Sequence, residues 1–291
     1  MRKIQYEQIK REIVKCMNVG EMATVYLLRD GRYLKIFNVT ILNECKDECG
    51  IDIEKKILAS DKEKVPNEIL KPEVAIYSGN VFCGFISSAA KGISHNVWES
   101  KLTEEQRKNL SLYADVSSKL EKIVRYTPHI VYPDICTCDN IFIDENDCNK
   151  IQLIDYDGLQ IRGNKAVAIS TSLGDPMQYI MSKKYYRNGL FTKELDKKSL
   201  LVLYFLVTFN VDLNKVGTLN PYTGLFVTLD DIFESINLTD VDVMHKVWKT
   251  FNNQVQNEWL GNDVFRLAED YSMQIKPSSV KGLYIKSLVR K

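Results

Sequence analysis

The amino-acid sequence predicts an α+β protein in which a small antiparallel sheet precedes a larger helical part. Pairs of β-forming runs, each pair joined by a tight turn, fill much of the first 86 residues. After residue 103 the apolar residues recur every three or four positions instead, which is the helical period. One more hairpin pattern interrupts the helical part at 141–154, and acidic and amide side chains stand at its outer ends.

Composition and charge indicate an ordinary globular chain. Of 291 residues, 45% are hydrophobic and 26% are charged, which is typical of soluble domains. The 39 basic and 38 acidic residues leave a net charge of +1, so no charge excess favours nucleic acid or a membrane surface as a partner. The charged first 15 residues lack the apolar core of a signal peptide, and the longest apolar run, 200–207, is far shorter than the ~20 residues that span a bilayer. We therefore expect a cytoplasmic protein.

The cysteines are expected to be reduced thiols. There are seven of them, an odd number in a chain too long to need a disulfide framework. The pairs Cys45/Cys49 and Cys136/Cys138 lack the two-residue spacing of a zinc knuckle, so a zinc site is not expected.

The first 86 residues predict about five strands and one main helix. Residues 1–17 are compatible either with a helix or with an extended approach to the first strand. Asp30-Gly31 between two β-rich runs is a strong hairpin signal, and a second hairpin is predicted over 74–86. Between these hairpins, the charged stretch 42–60 has a helical pattern.

The second part is predicted to begin with the small-residue loop 87–92. A capping box at Thr103 and Gln106 precedes a helix that continues to about Ile123. A strand and turn are expected over 159–165, and Asp196 is placed to cap a nearly all-apolar helix over 196–206. Three amphipathic helices are predicted after residue 228.

The hairpin over 141–154 brings its own flanking residues together. Its apolar runs 141–143 and 151–154 are separated by a polar turn at 144–147. An antiparallel pair joins the outer ends of its strands, so Asn140 and Asp155 should be neighbours, with Asp134 on the loop that leads in. Two carboxylates and an amide at one strand end suit Mg²⁺, which prefers oxygen ligands and is usually shared with substrate phosphates.

These residues resemble the catalytic and metal-binding loops of the protein kinase-like superfamily, in the order Asp134, Asn140-Ile-Phe-Ile, Leu-Ile-Asp155-Tyr-Asp-Gly. The resemblance implies that Asp134 accepts the proton of the substrate hydroxyl and that Asn140 and Asp155 hold Mg²⁺. Tyr132-Pro133 stand where the family has His-Arg, and the spacing from Asp134 to Asn140 is one residue longer than in the family.

The resemblance extends to the N-terminal part of the chain and implies a nucleotide site there. Lys35 matches the lysine that pairs with nucleotide phosphates, and Glu54 matches the helix glutamate that pairs with that lysine. Gly20 matches the middle glycine of the phosphate-covering loop. The implied cofactor-binding residues are Gly20, Val25, Lys35, Ser87, Ser88 and Ala89. In the family, the aspartate at the position of Asp196 also braces the catalytic-loop backbone.

The fold implied by this resemblance is bilobal. An N-lobe over 1–86 would hold a small antiparallel sheet and one main helix, and a C-lobe over 87–291 would be mainly helical. The implied cofactors are ATP and Mg²⁺.

The implied activity is transfer of the γ-phosphoryl group of ATP to a Ser or Thr hydroxyl of a protein substrate. Residues 170–179 support a protein acceptor, because they resemble the segment that closes the activation loop. Two alternatives remain open. One is a pseudokinase that binds nucleotide or serves as a scaffold, and the other is a kinase of small molecules such as aminoglycosides or choline.

Overall fold

A computed structural model describes residues 1–20, 22–103, 110–135, 138–166, 186–196 and 199–200. Within them the chain is a mixed α+β fold, as the sequence predicts. Several expectations lie outside these residues: those for the activation-loop resemblance at 170–179, for most of the helix over 196–206, for the helices after residue 228 and for the capping residue Gln106.

The main sheet has six strands in the order β1-β5-β6-β4-β3-β2. In chain order they are β1 (Arg2–Gln5), β2 (Ile13–Val19), β3 (Ala23–Leu28), β4 (Tyr33–Phe37), β5 (Pro72–Ser78) and β6 (Val81–Ser87). Neighbouring strands are antiparallel except β1 and β5, which are parallel. The sheet therefore has one strand more than predicted. The extra strand, β1, is short and largely exposed, so its sequence carries no clear alternating pattern.

The predicted hairpin at Asp30-Gly31 joins β3 to β4. Gly31 has φ +84°, a backbone conformation that favours glycine, and the Asp30 carboxylate accepts a hydrogen bond of 3.0 Å from the backbone N–H of Arg32. These two local features close the turn. They fix the register in which Lys35 pairs with Val25.

An apolar cluster anchors one face of this sheet. The short helix α1 (Tyr6–Ile9) contributes Ile9, and the strands contribute the remaining members. The buried members are Ile9, Leu28, Leu34, Val74, Ile76, Cys83 and Ile86. Burial of each such side chain contributes roughly 1.5–3 kcal/mol, so this cluster makes the sheet a rigid support for the polar residues on it.

The predicted helical stretch at 42–60 forms two helices instead of one. These are α2 (Val39–Asp47) and α3 (Ile53–Ala59). Gly50, with φ +63°, ends the first, and the side chain of Asp52 starts the second by accepting a hydrogen bond of 2.9 Å from Lys55 N. The break lets α3 turn independently of α2, which decides which of its side chains face inward.

The remaining elements that the structure describes include two helices, α4 (His95–Lys101) and α5 (Leu110–Arg125). No helix of the described chain is both long and apolar enough to cross a membrane. The strands are β7 (Ile93–Ser94), β8 (Ile130–Val131), β9 (Ile141–Asp144), β10 (Asp147–Leu153), β11 (Gln160–Ile161), β12 (Tyr186–Arg187) and β13 (Leu190–Phe191). They form a three-stranded sheet, β10-β9-β7, and the pairs β11-β8 and β12-β13.

Backbone hydrogen bonds join β10 to the segment that precedes β5. Leu70 N donates to Leu153 O at 2.9 Å, and Leu153 N donates to Glu68 O at 2.7 Å. Because Leu153 is the last residue of β10, this junction holds the next residues, 154–158, beside the main sheet and α3.

Candidate functional site

The hairpin β9–β10 places Asn140 beside the residues that follow β10. Ile141 pairs with Leu153, and Ile154 N donates to the carbonyl oxygen of Asn140 at 3.1 Å. The predicted antiparallel hairpin is confirmed, and its outer ends meet as expected. Four buried apolar side chains fix the hairpin: Ile141, Ile143, Ile151 and Leu153.

Asp134 and Asn140 contact each other directly. The Asn140 side-chain nitrogen donates to Asp134 Oδ2 at 2.9 Å and, more weakly, to the Asp134 carbonyl at 3.4 Å. The additional residue in this loop therefore does not keep the two side chains apart. Because the side-chain nitrogen of Asn140 donates to Asp134, the side-chain oxygen of Asn140 is the atom that can bind a cation.

Asp155 adopts a left-handed backbone conformation, with φ 66° and ψ 50°. This conformation costs about 1–3 kcal/mol in a residue with a side chain, and such strain is concentrated at functional sites. The 3₁₀ turn Tyr156–Gly158 follows, closed by Gly158 N donating to Asp155 O at 2.9 Å. A Cβ on Gly158 would lie 2.6 Å from Asp155 Oδ2, which is too close, so glycine at this position allows the carboxylate to occupy its observed position.

Lys35 reaches this turn from the middle of the main sheet. It lies on β4 between Val25 of β3 and Phe85 of β6. Its Nζ donates to Asp155 Oδ1 and, at 2.9 Å each, to both carboxylate oxygens of Asp157. The structure thus brings together a lysine and a carboxylate that are 120 positions apart in the sequence.

Glu54 does not form the ion pair with Lys35 that the resemblance implies. Its carboxylate instead accepts a hydrogen bond of 2.7 Å from the Tyr77 hydroxyl. The inward face of α3 consists of Ile53, Lys56 and Ile57. Positions 54 and 56 are about 200° apart around a helix axis, so the rotation that buries Lys56 turns Glu54 away from the site.

Lys56 is a site residue that the sequence did not reveal. Its Nζ donates to the backbone carbonyl of Asp157 at 2.7 Å and to that of Lys165 at 2.9 Å, and only 2% of the residue is exposed. A lysine in a short charged stretch normally indicates a solvated helix face. Two backbone carbonyls, which no sequence pattern displays, make its burial possible.

The charges in this cluster shift one another's pKa values. Burial alone would lower the pKa of Lys35, but the carboxylates of Asp157 and Asp155 outweigh it and hold the pKa above its ordinary value. For Asp157, burial and the neighbouring Asp155 raise the pKa, while Lys35 and Lys56 oppose that rise. Burial lowers the pKa of Lys56 to about 8, although both carboxylates favour its charged form.

Asp196 braces the loop before Asp134. It is fully buried, and its carboxylate accepts a hydrogen bond of 2.6 Å from the backbone N–H of Tyr132. The same carboxylate forms an ion pair with Lys193. This contact with the backbone before Asp134 is the one that the resemblance implies for Asp196. The expected N-cap role is wrong, because the helical residues already begin at Lys193.

The other residues implied for nucleotide binding lie on β3 and β6 or in the loops beside these strands. Gly20 closes the turn between β2 and β3, where its N–H donates to Ala23 O at 2.9 Å. Ser87 pairs with Tyr33 at the end of β6, and the Ser88 hydroxyl donates to a surface glutamate, Glu73. Ala89 follows in the loop. Val25, as described above, pairs directly with Lys35.

The site opens into a cleft lined among others by Pro133, Asp134, Asn140, Asp155 and Gly158. Within the described residues, no group of three or more His, Cys, Asp or Glu side chains is arranged to hold a metal. Mg²⁺ needs no such cage, because it commonly binds one or two protein side chains and takes its other ligands from phosphates and water. The oxygens of Asn140 and Asp155 fit that requirement.

Comparison with known proteins gives no further assignment. No family model matches the chain, and no curated protein matches it significantly in sequence.

The lowered pKa of Lys56 predicts an unusual dependence of stability on pH. Between about 8 and the ordinary value of 10.5, the unfolded chain binds more protons than the folded chain, so the free energy of unfolding should rise with pH. From pH 8 to 10 the Lys56 contribution should be about 2 kcal/mol. Urea unfolding at pH 8 and at pH 10 measures this change in the free energy of unfolding. The rise should disappear in Lys56→Met and persist in Lys55→Met, whose lysine is exposed; equal slopes in both variants would contradict the assignment.

Proposed function

We propose that this protein is an ATP- and Mg²⁺-dependent phosphotransferase with a bilobal protein kinase-like fold, and that its acceptor is a Ser or Thr hydroxyl of a protein. One observation carries the proposal. A lysine on a sheet strand and an aspartate after a distant hairpin, Lys35 and Asp155, meet beside the pair Asp134 and Asn140. This is the constellation that phosphoryl transfer requires, since its catalysis depends chiefly on positioning and electrostatics.

Each residue of the site has a role in this proposal. Asn140 and Asp155 would hold Mg²⁺, which when bound neutralises charge on the β- and γ-phosphate oxygens. Lys35 would bind the phosphates of the nucleotide. Asp134 would orient the acceptor hydroxyl and take its proton, and the hydrogen bond from Asn140 fixes the direction of its carboxylate.

Asp196 would support the same chemistry by holding the loop that carries Asp134. By accepting the Tyr132 backbone N–H, it fixes the start of the loop that presents Asp134 to the cleft. Displacement of a catalytic group by about 1 Å can lower a rate a hundredfold, so this support matters for the proposed reaction.

A second candidate function is a nucleotide-binding or scaffolding module without transfer activity. One specific observation favours it: Lys35 is bound directly to Asp155, the carboxylate that a metal would need. A module of this kind would keep the ion pair closed and use the fold for contacts with a partner.

Transfer of labelled γ-phosphate from Mg-ATP distinguishes the two functions. We expect the wild-type protein to label itself or a generic protein substrate, and Asp134→Asn to reduce the rate by about 10²–10⁴-fold. Asp139→Asn, which changes an exposed carboxylate in the same loop, is the matched control and should leave the rate unchanged. A raised melting temperature with Mg-ATP but no transfer would favour the module. Neither binding nor transfer would contradict both functions.

A further inference from the structure

The two carboxylates around Lys35 are not equivalent. Asp157 accepts hydrogen bonds from Lys35 Nζ through both oxygens, and its side chain is only 4% exposed. Asp155 contacts Nζ through one oxygen, and its side chain is 31% exposed. A ligand in the cleft can therefore reach Asp155, while Asp157 is closed off from it.

Asp157 is held from its other side by α3. Lys56 binds the Asp157 backbone carbonyl and the Lys165 carbonyl, so it ties the segment after Asp155 to the helix at two points. The cluster then contains two cations, Lys35 and Lys56, and two carboxylates. Removal of Asp157 or Lys56, the two most buried of the four, leaves an uncompensated charge in a buried place, which is unfavourable.

Glu54 cannot replace Asp157 in this arrangement. It lies on the other face of α3, where its carboxylate is bound to Tyr77. The carboxylate that holds Lys35 therefore comes from the loop of the proposed metal ligand itself, two residues after Asp155.

We infer that Asp157 is the positioning residue that holds Lys35 in place when Asp155 binds a cation, and that Lys56 is the buried counter-charge that keeps Asp157 in place. The inference rests on the proposed function only for its consequence, which is the binding of nucleotide phosphates by Lys35. The contacts that carry it involve no ligand, so they can be tested in the protein alone.

Lysine reactivity gives this test without nucleotide. In the wild-type protein, three carboxylate oxygens of Asp155 and Asp157 accept hydrogen bonds from Lys35 Nζ, so a limiting amount of an amine-acylating reagent should modify it slowly, as followed by mass spectrometry of its peptide. Asp157→Asn should raise the rate of Lys35 acylation several-fold, because it removes the charged group that accepts two of these three hydrogen bonds. Glu54→Gln, the matched control, should leave the rate unchanged. The opposite ranking of the two variants would overturn the inference.

A double variant tests Lys56 and guards against loss of folding. Asp157→Asn with Lys56→Met removes one charge of each sign, so its melting temperature should exceed that of Asp157→Asn alone. If Asp157→Asn alone does not fold, the acylation of Lys35 is compared between the double variant and Lys56→Met instead. A double variant less stable than both single variants would show that Lys56 is not the counter-charge.

Mg-ATP binding separates this inference from the proposed function. We expect Asp157→Asn to weaken Mg-ATP binding about tenfold or more, and Glu54→Gln to leave it unchanged. Absence of binding in the wild-type protein, with the expected acylation results, would overturn the proposed function alone. Unchanged binding in Asp157→Asn would overturn the positioning role while the function stands.

Discussion

Replacing Asp155 with asparagine is expected to lower the rate of phosphoryl transfer by at least about a hundredfold, while the protein remains folded. The substitution keeps the shape of the side chain and removes the charge that a cation needs. Folding should persist because Lys35 retains both of its contacts with Asp157, and because a partly exposed Asp155 contributes less to stability than a buried group. The measurement is kcat for γ-phosphate transfer, with circular dichroism as the test of folding.

The Asp155→Asn result is informative only against a matched change. Asp139→Asn also removes one carboxylate, but from an exposed position whose partner is Asn96. It should transfer phosphate like the wild-type protein. Full activity in Asp155→Asn would mean that this carboxylate binds no catalytic cation, and the proposed arrangement of the site would then be untenable.

Replacing Gly158 with alanine should have an effect of similar size, about a hundredfold in kcat, although Gly158 has no side chain. The new Cβ would lie 2.6 Å from Asp155 Oδ2 and would force the carboxylate to move. Because the adjacent turn is strained at Asp155, the movement should also disturb the contact with Lys35. The variant therefore tests the position of the carboxylate without changing its chemistry.

Gly163→Ala is the control for this substitution. A Cβ at Gly163 meets nothing within 4 Å, and the residue lies in the turn after β11. It removes the same conformational freedom from the chain without crowding a neighbour. Activity and melting temperature close to those of the wild-type protein are expected for Gly163→Ala. A Gly158→Ala protein as active as this control would contradict the close packing of Asp155.

The parts of the site that the sequence predicted are those set by local patterns. The hairpin β9–β10 has alternating apolar residues and a polar turn, and these alone determine that Asn140 and the residues after Leu153 meet. The hairpin β3–β4 has an Asp-Gly turn, which determines the register of Lys35. In each case the decisive interactions lie within a few residues of one another.

The partner of Lys35 could not be predicted in this way. Glu54 and Lys56 both border the apolar stripe of α3, so the pattern of Ile53 and Ile57 does not decide which one faces inward. The outcome depends on contacts distant in sequence: the Asp157 and Lys165 carbonyls accept from Lys56, and Tyr77 donates to Glu54. The only signal for Asp157 was a second carboxylate two residues after the proposed metal ligand.

A crystal structure with Mg²⁺ and a non-hydrolysable ATP analogue would show whether Lys35, Asn140 and Asp155 meet the terminal phosphates and their cation. We expect the terminal phosphates beside Lys35 Nζ, the cation bound by Asn140 and Asp155, and Lys35 still paired with Asp157. A nucleotide bound elsewhere on the protein, with Lys35 and Asp155 unchanged in a closed pair, would contradict it.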